Sequence, residues 1–378
     1  MKKFIVRSLP FVLVIFLYLG IGEYLMYRIS ENVPVEVVVK KQLASKTECY
    51  YGRTLFENVE PLYKFEMLSN IQPSIVVLGS SVVFNFRDFF FQPFESKFYN
   101  TGLMLKSVRD LNDFVNHIKK GKIKKPTFII IGIDNSLIKK VSFRQPEGSV
   151  FENFKADPIC NYKEHLRAIQ DVYLRSDVRE VPEMNYGFGK KGMVGDGYRK
   201  DGSFSYKWEL DIFLKDSTHY EGDLKAKLRE KRDFFTLPLE VDSNKKEELI
   251  KVLKEFKKLN IELLLYFPPF SDEFYNIAKE DKVFNQFFGE YLAYQSLLEK
   301  EGFDMIKFTT PSRIGLNDYY MANAYHPGDI MVAKQLLTYS TSPERKNKFI
   351  DKLNFSLLDS LVKSSNNPLS FMRDTLVY

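Results

Sequence analysis

The sequence predicts a mixed α/β fold: a parallel sheet covered by helices on both faces, set behind an N-terminal transmembrane helix and interrupted by a long insertion after the third strand. Three observations lead there. Short apolar runs bounded by Pro, Gly or Asn recur between residues 74 and 308, as buried parallel strands do. Segments with apolar residues at helical spacing lie between them, and such alternation builds parallel sheets. The chain opens with one long apolar stretch behind a basic start.

Residues 4–27 are apolar apart from Arg7, Ser8 and Glu23. As a helix they reach roughly 36 Å, enough to cross a bilayer. Lys2, Lys3 and Arg7 precede the apolar centre, so the positive-inside bias leaves the N-terminus in the cytoplasm and the main domain extracytoplasmic. Gly20-Ile21-Gly22 is the small-x-small triplet of a cleaved signal peptide, but apolar character continues past it, which favours an uncleaved single-pass anchor. Export permits disulfides. Cys49 and Cys160 are the two cysteines; a bridge and a pair of free thiols both fit.

Residues 28–70 read as a stalk and lead-in, with a short strand expected at 36–39. Strands are expected at 74–78, 97–100, 127–133, 261–266 and 304–308. Helices are expected at 107–120, 243–259, 288–301 and 327–339, the last with Pro327 in its first turn. Right-handed crossovers then give a three-layer, flavodoxin-like sheet. The organisation expected is a signal-anchor over 1–27, the stalk over 28–70, an α/β domain over 71–340 with an insertion at 136–242, and a helical tail over 341–378. Residues 357–362 look amphipathic, suited to capping the domain or lying on the bilayer.

Composition excludes several classes. Of 378 residues, 44% are hydrophobic and 28% charged, which is not a disordered, collagenous or disulfide-framework chain. Net charge is +6 and dispersed, which does not suit nucleic-acid binding. Four histidines and two cysteines leave no multi-ligand zinc site, so no metal or diffusible cofactor is expected. The first strand is not followed by a Gly-x-Gly-x-x-Gly run, which disfavours a nucleotide-binding reading.

The chemistry collects at strand ends. Gly79-Ser80-Ser81 follows strand one, Asn100-Thr101-Gly102 ends strand two and Gly132-Ile133-Asp134-Asn135 ends strand three. Asn323-Ala324-Tyr325-His326-Pro327 follows strand five. If the sheet is parallel, Ser81 and His326 share one edge, a nucleophile beside its general base. Against this stands the plainer reading of His326 as a helix-entry residue. Arg199 and Asp201, in a turn-rich stretch of the insertion, are candidates to clasp substrate, although such loops more often pair their own charges. His117, His165 and His219 suit the surface, while Phe89-Phe90-Phe91, Tyr206 and Trp208 suit the core.

In this order and spacing the blocks resemble the SGNH (GDSL-like) hydrolase superfamily, over about residues 74–339. With its anchor and its Gly-Ser-Ser block, the chain is similar to the membrane-attached branch that assists acylation of envelope polymers. The resemblance implies Ser81 as nucleophile, His326 as base, and Gly102 with the Ser81 N–H as oxyanion donors. It implies an acyl-esterase or O-acyltransferase acting on a cell-envelope glycan, with a multi-pass acyltransferase as partner. Three departures stand out. Ser80 replaces an Asp, and Asp134 and Asn135 invert the family's Asn-Asp order, so Asn135 would have to supply the donor. Asn323 stands where the triad Asp belongs; in serine proteases that exchange costs about 10⁴ in turnover by selecting the wrong histidine tautomer. Asp318 and Asp329 are the nearby carboxylates in position to replace it. The alternative function is a catalytically inactive glycan-binding or assembly subunit.

Overall fold

The computed structural model describes residues 2–56, 59–140, 149–152, 157–182, 185–207, 219–232 and 235–364. Trp208, parts of the 136–242 segment and the tail beyond 364 lie outside the described residues. The chain forms two compact units, one from residues 1–66 with 154–200, the other from 67–153 with 201–378.

In the first unit, α1 (Lys2–Arg28) contains one helix, Arg7–Arg28, that is long and apolar enough to cross a membrane. The strand expected at 36–39 is instead part of α2 (Val35–Ala44). Its valines favour strands when isolated. However, Val35, Val38, Val39 and Gln42 fall at i, i+3, i+4 and i+7 and are all buried, so burial of one helical face overrides that propensity. Helix α3 (Glu60–Ile71) follows. Tyr50–Tyr51 pairs in parallel with Gly187–Phe188, and Tyr51 pairs antiparallel with Tyr198. Glu31 is fully buried and accepts backbone N–H bonds from Thr54, Leu55 and Lys190.

The second unit is built on a parallel five-stranded sheet: β1 (Ile75–Gly79), β2 (Phe98–Gly102), β3 (Phe128–Gly132), β4 (Glu262–Tyr266) and β5 (Met305–Ile306), in the spatial order β2-β1-β3-β4-β5. The register matches Ile75 with Phe98 and Phe128, and Phe128 with Glu262. Every residue of β1, β2 and β3 is buried, so both faces are covered, and their near-continuous apolar sequences are the consequence. One face sends Ile75, Val77, Phe128, Ile130, Leu264 and Tyr266 into a core shared with Phe89, Phe90 and Phe91.

Helix α4 (Val108–Lys119) follows β2 and starts at a reciprocal Ser107–Asp110 capping box. The long segment after β3 contains α5 (Tyr162–Leu174), which belongs to the first unit. Back in the second unit, α6 (Ser243–Lys258) starts at the Asp242 side-chain cap and packs on α4 and β4. Two helices, α7 (Asp272–Glu280) and α8 (Lys282–Lys300), then lead to β5. Helix α9 (Asp329–Ser340) begins later than residue 327. Pro327 belongs to a two-residue bridge, His326–Pro327, antiparallel to Met321–Asn323. The last described helix, α10 (Phe355–Ser364), packs on α9 and buries Leu358 in the core, so it caps the sheet unit.

Candidate active site

The site grows from the carboxyl end of β1. Ser80 begins a single 3₁₀ turn, Ser81–Val83, with its side chain accepting from the Val82 N–H. The turn fits because the neighbouring strand ends carry glycine. A Cβ on Gly79 or on Gly132 would stand 2.6 Å from a methyl of Val83, closer than packed carbons approach. Val83 therefore tucks between two strand ends and leaves Ser81 half-exposed above them. Asn100, fully buried on β2, secures the turn by donating its amide hydrogens to the carbonyls of Val83 (2.7 Å) and Phe86 (3.0 Å). Ser80 also donates to the Asp134 carboxylate, linking the ends of β1 and β3.

The histidine arrives from the other end of the chain. In the hairpin Met321–Asn323/His326–Pro327, Asn323 and His326 are directly paired across the strands, so the backbone register makes their side chains neighbours. His326 Nδ1 lies 2.8 Å from Asn323 Oδ1 and its Nε2 lies 2.8 Å from Ser81 Oγ. Asn323 Oδ1 also accepts the backbone N–H groups of His326 (3.1 Å) and Tyr325 (3.3 Å). A flipped carboxamide would turn its NH₂ toward those two donors, so they hold the oxygen toward the ring. Nδ1 must then carry the hydrogen, and the Nε2 lone pair faces the serine hydroxyl. The tautomer a general base requires is thus set without a carboxylate. What asparagine cannot supply is a negative charge behind the imidazolium.

Neither nearby carboxylate replaces it. Asp318 accepts the Asp272 and Glu273 N–H groups at the start of α7, and burial raises its pKa. Asp329 is fully buried and pairs with Arg87 at 2.9 Å. That ion pair and the Asn85 side-chain bond to the Pro327 carbonyl join the segment after Ser81 to the segment around His326. Asn85 and Arg87 were absent from the sequence-based site, and Asn100 stood in its second block without a role. The signal available was a polar side chain within an otherwise apolar stretch, which when buried requires a partner.

The expected oxyanion donors need correction. The Gly102 N–H already donates to Asn100 Oδ1 at 2.9 Å. Asp134 is occupied as an acceptor, from Ser80, the Ser136 N–H (2.9 Å) and the Ser136 hydroxyl. Asn135 sits just beyond β3, and its carboxamide makes no hydrogen bond to another described residue. The substrate-binding expectation needs correction too. Arg199 is buried in the first unit beside the Tyr50 ring. Asp201 accepts from the Asp88 N–H (3.0 Å) and from Ser203, and Arg87 Nε lies 3.6 Å away. Asp201 organises its own loop, and burial withdraws the Arg199 charge from solvent.

The other expected positions fall as follows. Phe89, Phe90, Phe91 and Tyr206 are buried. His117 lies against the Phe151 ring with its pKa lowered by burial, and His165 pairs with Glu23. His219 opens a helix, His219–Glu230. Cys49 and Cys160 are free, and burial pushes the Cys49 thiol up to about 11. A cavity of about 250 Å³ beside β5 is lined by Met305, Ile306, Gln335 and Tyr339 and by none of the site residues. Among the described residues no group of three His, Cys, Asp or Glu side chains is placed to hold a metal ion. Comparison of the chain with protein-family models and with curated proteins finds no match.

Proposed function

We propose that this chain is a membrane-anchored serine acyl-esterase or O-acyltransferase of SGNH type, acting on a cell-envelope glycan outside the cytoplasmic membrane. The observation that carries the reading is the continuous path Ser81 Oγ–His326 Nε2, His326 Nδ1–Asn323 Oδ1, each step 2.8 Å. Its position at the carboxyl ends of parallel strands supports it, since ligands of open α/β sheets bind there. The order β2-β1-β3-β4-β5 is read as the flavodoxin-like order, with the segment after β3 as its insertion.

In this reading Ser81 Oγ attacks the ester carbonyl carbon while its proton passes to His326 Nε2. The tetrahedral oxyanion is met by the Ser81 N–H and the Asn135 carboxamide. The carbon–oxygen bond to the leaving alcohol breaks as His326 returns the proton to that oxygen. Water or a sugar hydroxyl then attacks the acyl carbon and gives its proton to His326, the bond to Ser81 Oγ breaks, and His326 returns the proton to that oxygen, giving hydrolysis or transfer. For transfer, a multi-pass acyltransferase would load Ser81 with the acyl group. Lys2, Lys3 and Arg7 support an N-terminus inside, with α1 as a single span.

A second reading, a glycan-binding or assembly subunit without turnover, is favoured by one feature: Asn323 in place of a carboxylate. A fluorophosphonate probe separates the two. The enzyme reading expects labelling of the full-length chain, lost in Ser81→Ala and weakened in His326→Ala. Absence of labelling in the folded wild-type chain overturns it.

A further inference from the structure

We infer that α5 is a second membrane-contact element, seated obliquely in the outer leaflet beside the anchor, with Tyr162, Leu166 and Leu174 against lipid. The inference rests on the proposal that α1 crosses the bilayer. It begins with a helix of the first unit that turns two apolar stripes in different directions. Ala168, Ile169 and Val172 are buried. Tyr162, Leu166 and Leu174 are 69%, 49% and 72% exposed, on a face that also carries the exposed Gln170 between the two leucines. A water-facing helix rarely keeps its largest apolar groups aligned on the outside.

The buried stripe faces α1. A Cβ on Gly22 would meet Ile169 at 2.6 Å, so the glycine allows the two helices to approach closely. Tyr173 stacks on Tyr18 with ring centroids 4.6 Å apart, and its hydroxyl donates to the Tyr18 carbonyl at 2.6 Å. His165 bonds Glu23, whose other oxygen accepts from Asn32 at 3.1 Å. Glu23 is the one acidic residue of α1. It is costly near hydrocarbon unless partnered, and α5 supplies a partner.

These contacts fix the depth of α5. At 1.5 Å per residue, Lys3 and Glu23 stand about 30 Å apart along α1, which equals the hydrocarbon thickness of a bilayer. With Lys3 at the inner boundary, Glu23 and the His165 bonded to it stand level with the outer boundary. Tyr173, beside Tyr18, lies about 7 Å below it, within the depth at which interfacial helices settle. Lys163 and Arg167 lie on the same exposed face, Arg167 also 3.2 Å from Glu164, and such cations reach back to anionic headgroups. On α1 itself, Tyr24 and Tyr27 are exposed at the same level, where aromatic side chains favour the interface. The occupant is thus lipid, continuous with the lipid that surrounds the anchor.

The test uses the full-length chain in vesicles of phosphatidylethanolamine and phosphatidylglycerol. With Cys49→Ser and Cys160→Ser as background, spin labels are placed singly through Leu13→Cys, Leu166→Cys, Leu174→Cys and Lys251→Cys. Collisions with oxygen, enriched in lipid, are compared with collisions with a water-soluble nickel chelate. The expected result is strong nickel broadening at 251, its loss at 13, and its loss with retained oxygen broadening at 166 and 174. If 13 is lipid-like while 166 and 174 match 251, the inference about α5 is overturned and the anchor stands. If 13 also matches 251, the spanning reading fails first. Shielding of 166 and 174 from both reagents marks a protein partner or a second copy as the occupant, and that too overturns the inference.

Discussion

Replacing Asn323 by aspartate tests the reacting unit most directly, because it changes charge while keeping shape. Asn323 Oδ1 already holds His326 Nδ1 and two backbone N–H groups. A carboxylate oxygen accepts the same three bonds, and those donors favour its ionised form. The imidazolium formed during attack would then stand about 4 Å from a negative charge, an interaction of about 4 kcal/mol at an effective dielectric of 20 and about 1 kcal/mol in bulk water. Asn323 and His326 are half-buried, so the gain lies between those limits, about fivefold to 10³-fold in rate. The assay is kcat/KM for hydrolysis of a p-nitrophenyl acyl ester. Asn323→Asp should raise it within that range and move the acid limb of the pH–rate profile upward, since the carboxylate stabilises the protonated ring. Adding Ser81→Ala should remove the gain. Asn323→Leu, which frees the ring tautomer, should lower the rate below wild type. A folded Asn323→Asp chain whose kcat/KM is unchanged or reduced would refute the assignment of this path as the proton relay.

Two further predictions follow from buried charges. Asp329→Leu removes the 2.9 Å partner of the buried Arg87, with Asp201 remaining 3.6 Å from it, and should cost about 1–3 kcal/mol of stability; chemical denaturation of the variant checks this, and an unchanged stability would contradict the ion-pair account. Glu31 is held above the ordinary carboxylate value, with burial as the largest cause. Its contribution to stability is therefore fully present below the unfolded value and lost as pH rises through the raised folded value. Glu31→Gln should flatten that pH dependence and lower stability by about 1–3 kcal/mol where a backbone N–H is left facing the new amide, read from thermal unfolding of the reconstituted chain.

How much of this was legible beforehand depends on the range of the interaction responsible. The strands β1 and β3 announce themselves because Ile75–Gly79 and Phe128–Gly132 are buried on both faces, which leaves little choice but apolar side chains. Ser81 is legible for a related reason: a small polar residue directly after such a run must emerge at the sheet's edge. The helix Val35–Ala44 was illegible because local propensity and tertiary burial disagree there, and burial won. The hairpin that pairs Asn323 with His326 lacks a Gly-containing two-residue turn, so no local signal marks it. For Arg199 and Asp201 the turn-rich stretch left two readings, a clasp on substrate and charges paired within the loop, and Asp201 follows the second by organising its own loop. Gly102 was placed at the right edge, but the bond that occupies its N–H comes from Asn100, only two residues away.

The residues that tie the candidate site together are the least visible in the chain, and this bears on how its geometry is held. Ser81 and His326 are separated by 245 positions. Apolar packing alone brings their segments together only to within the slack that hydrophobic contacts tolerate. General-base catalysis requires hydrogen-bond reach, and a displacement of about 1 Å costs orders of magnitude in rate. Directional bonds remove that slack. Asn100 fixes the turn behind Ser81, Asn85 holds the Pro327 carbonyl beside His326, and Arg87 holds Asp329 at the entrance to α9. Each of these side chains is buried and each carries a desolvation cost that an apolar residue would avoid. Their common effect is to fix one relative position of two distant segments, and that position puts a serine hydroxyl on a histidine lone pair.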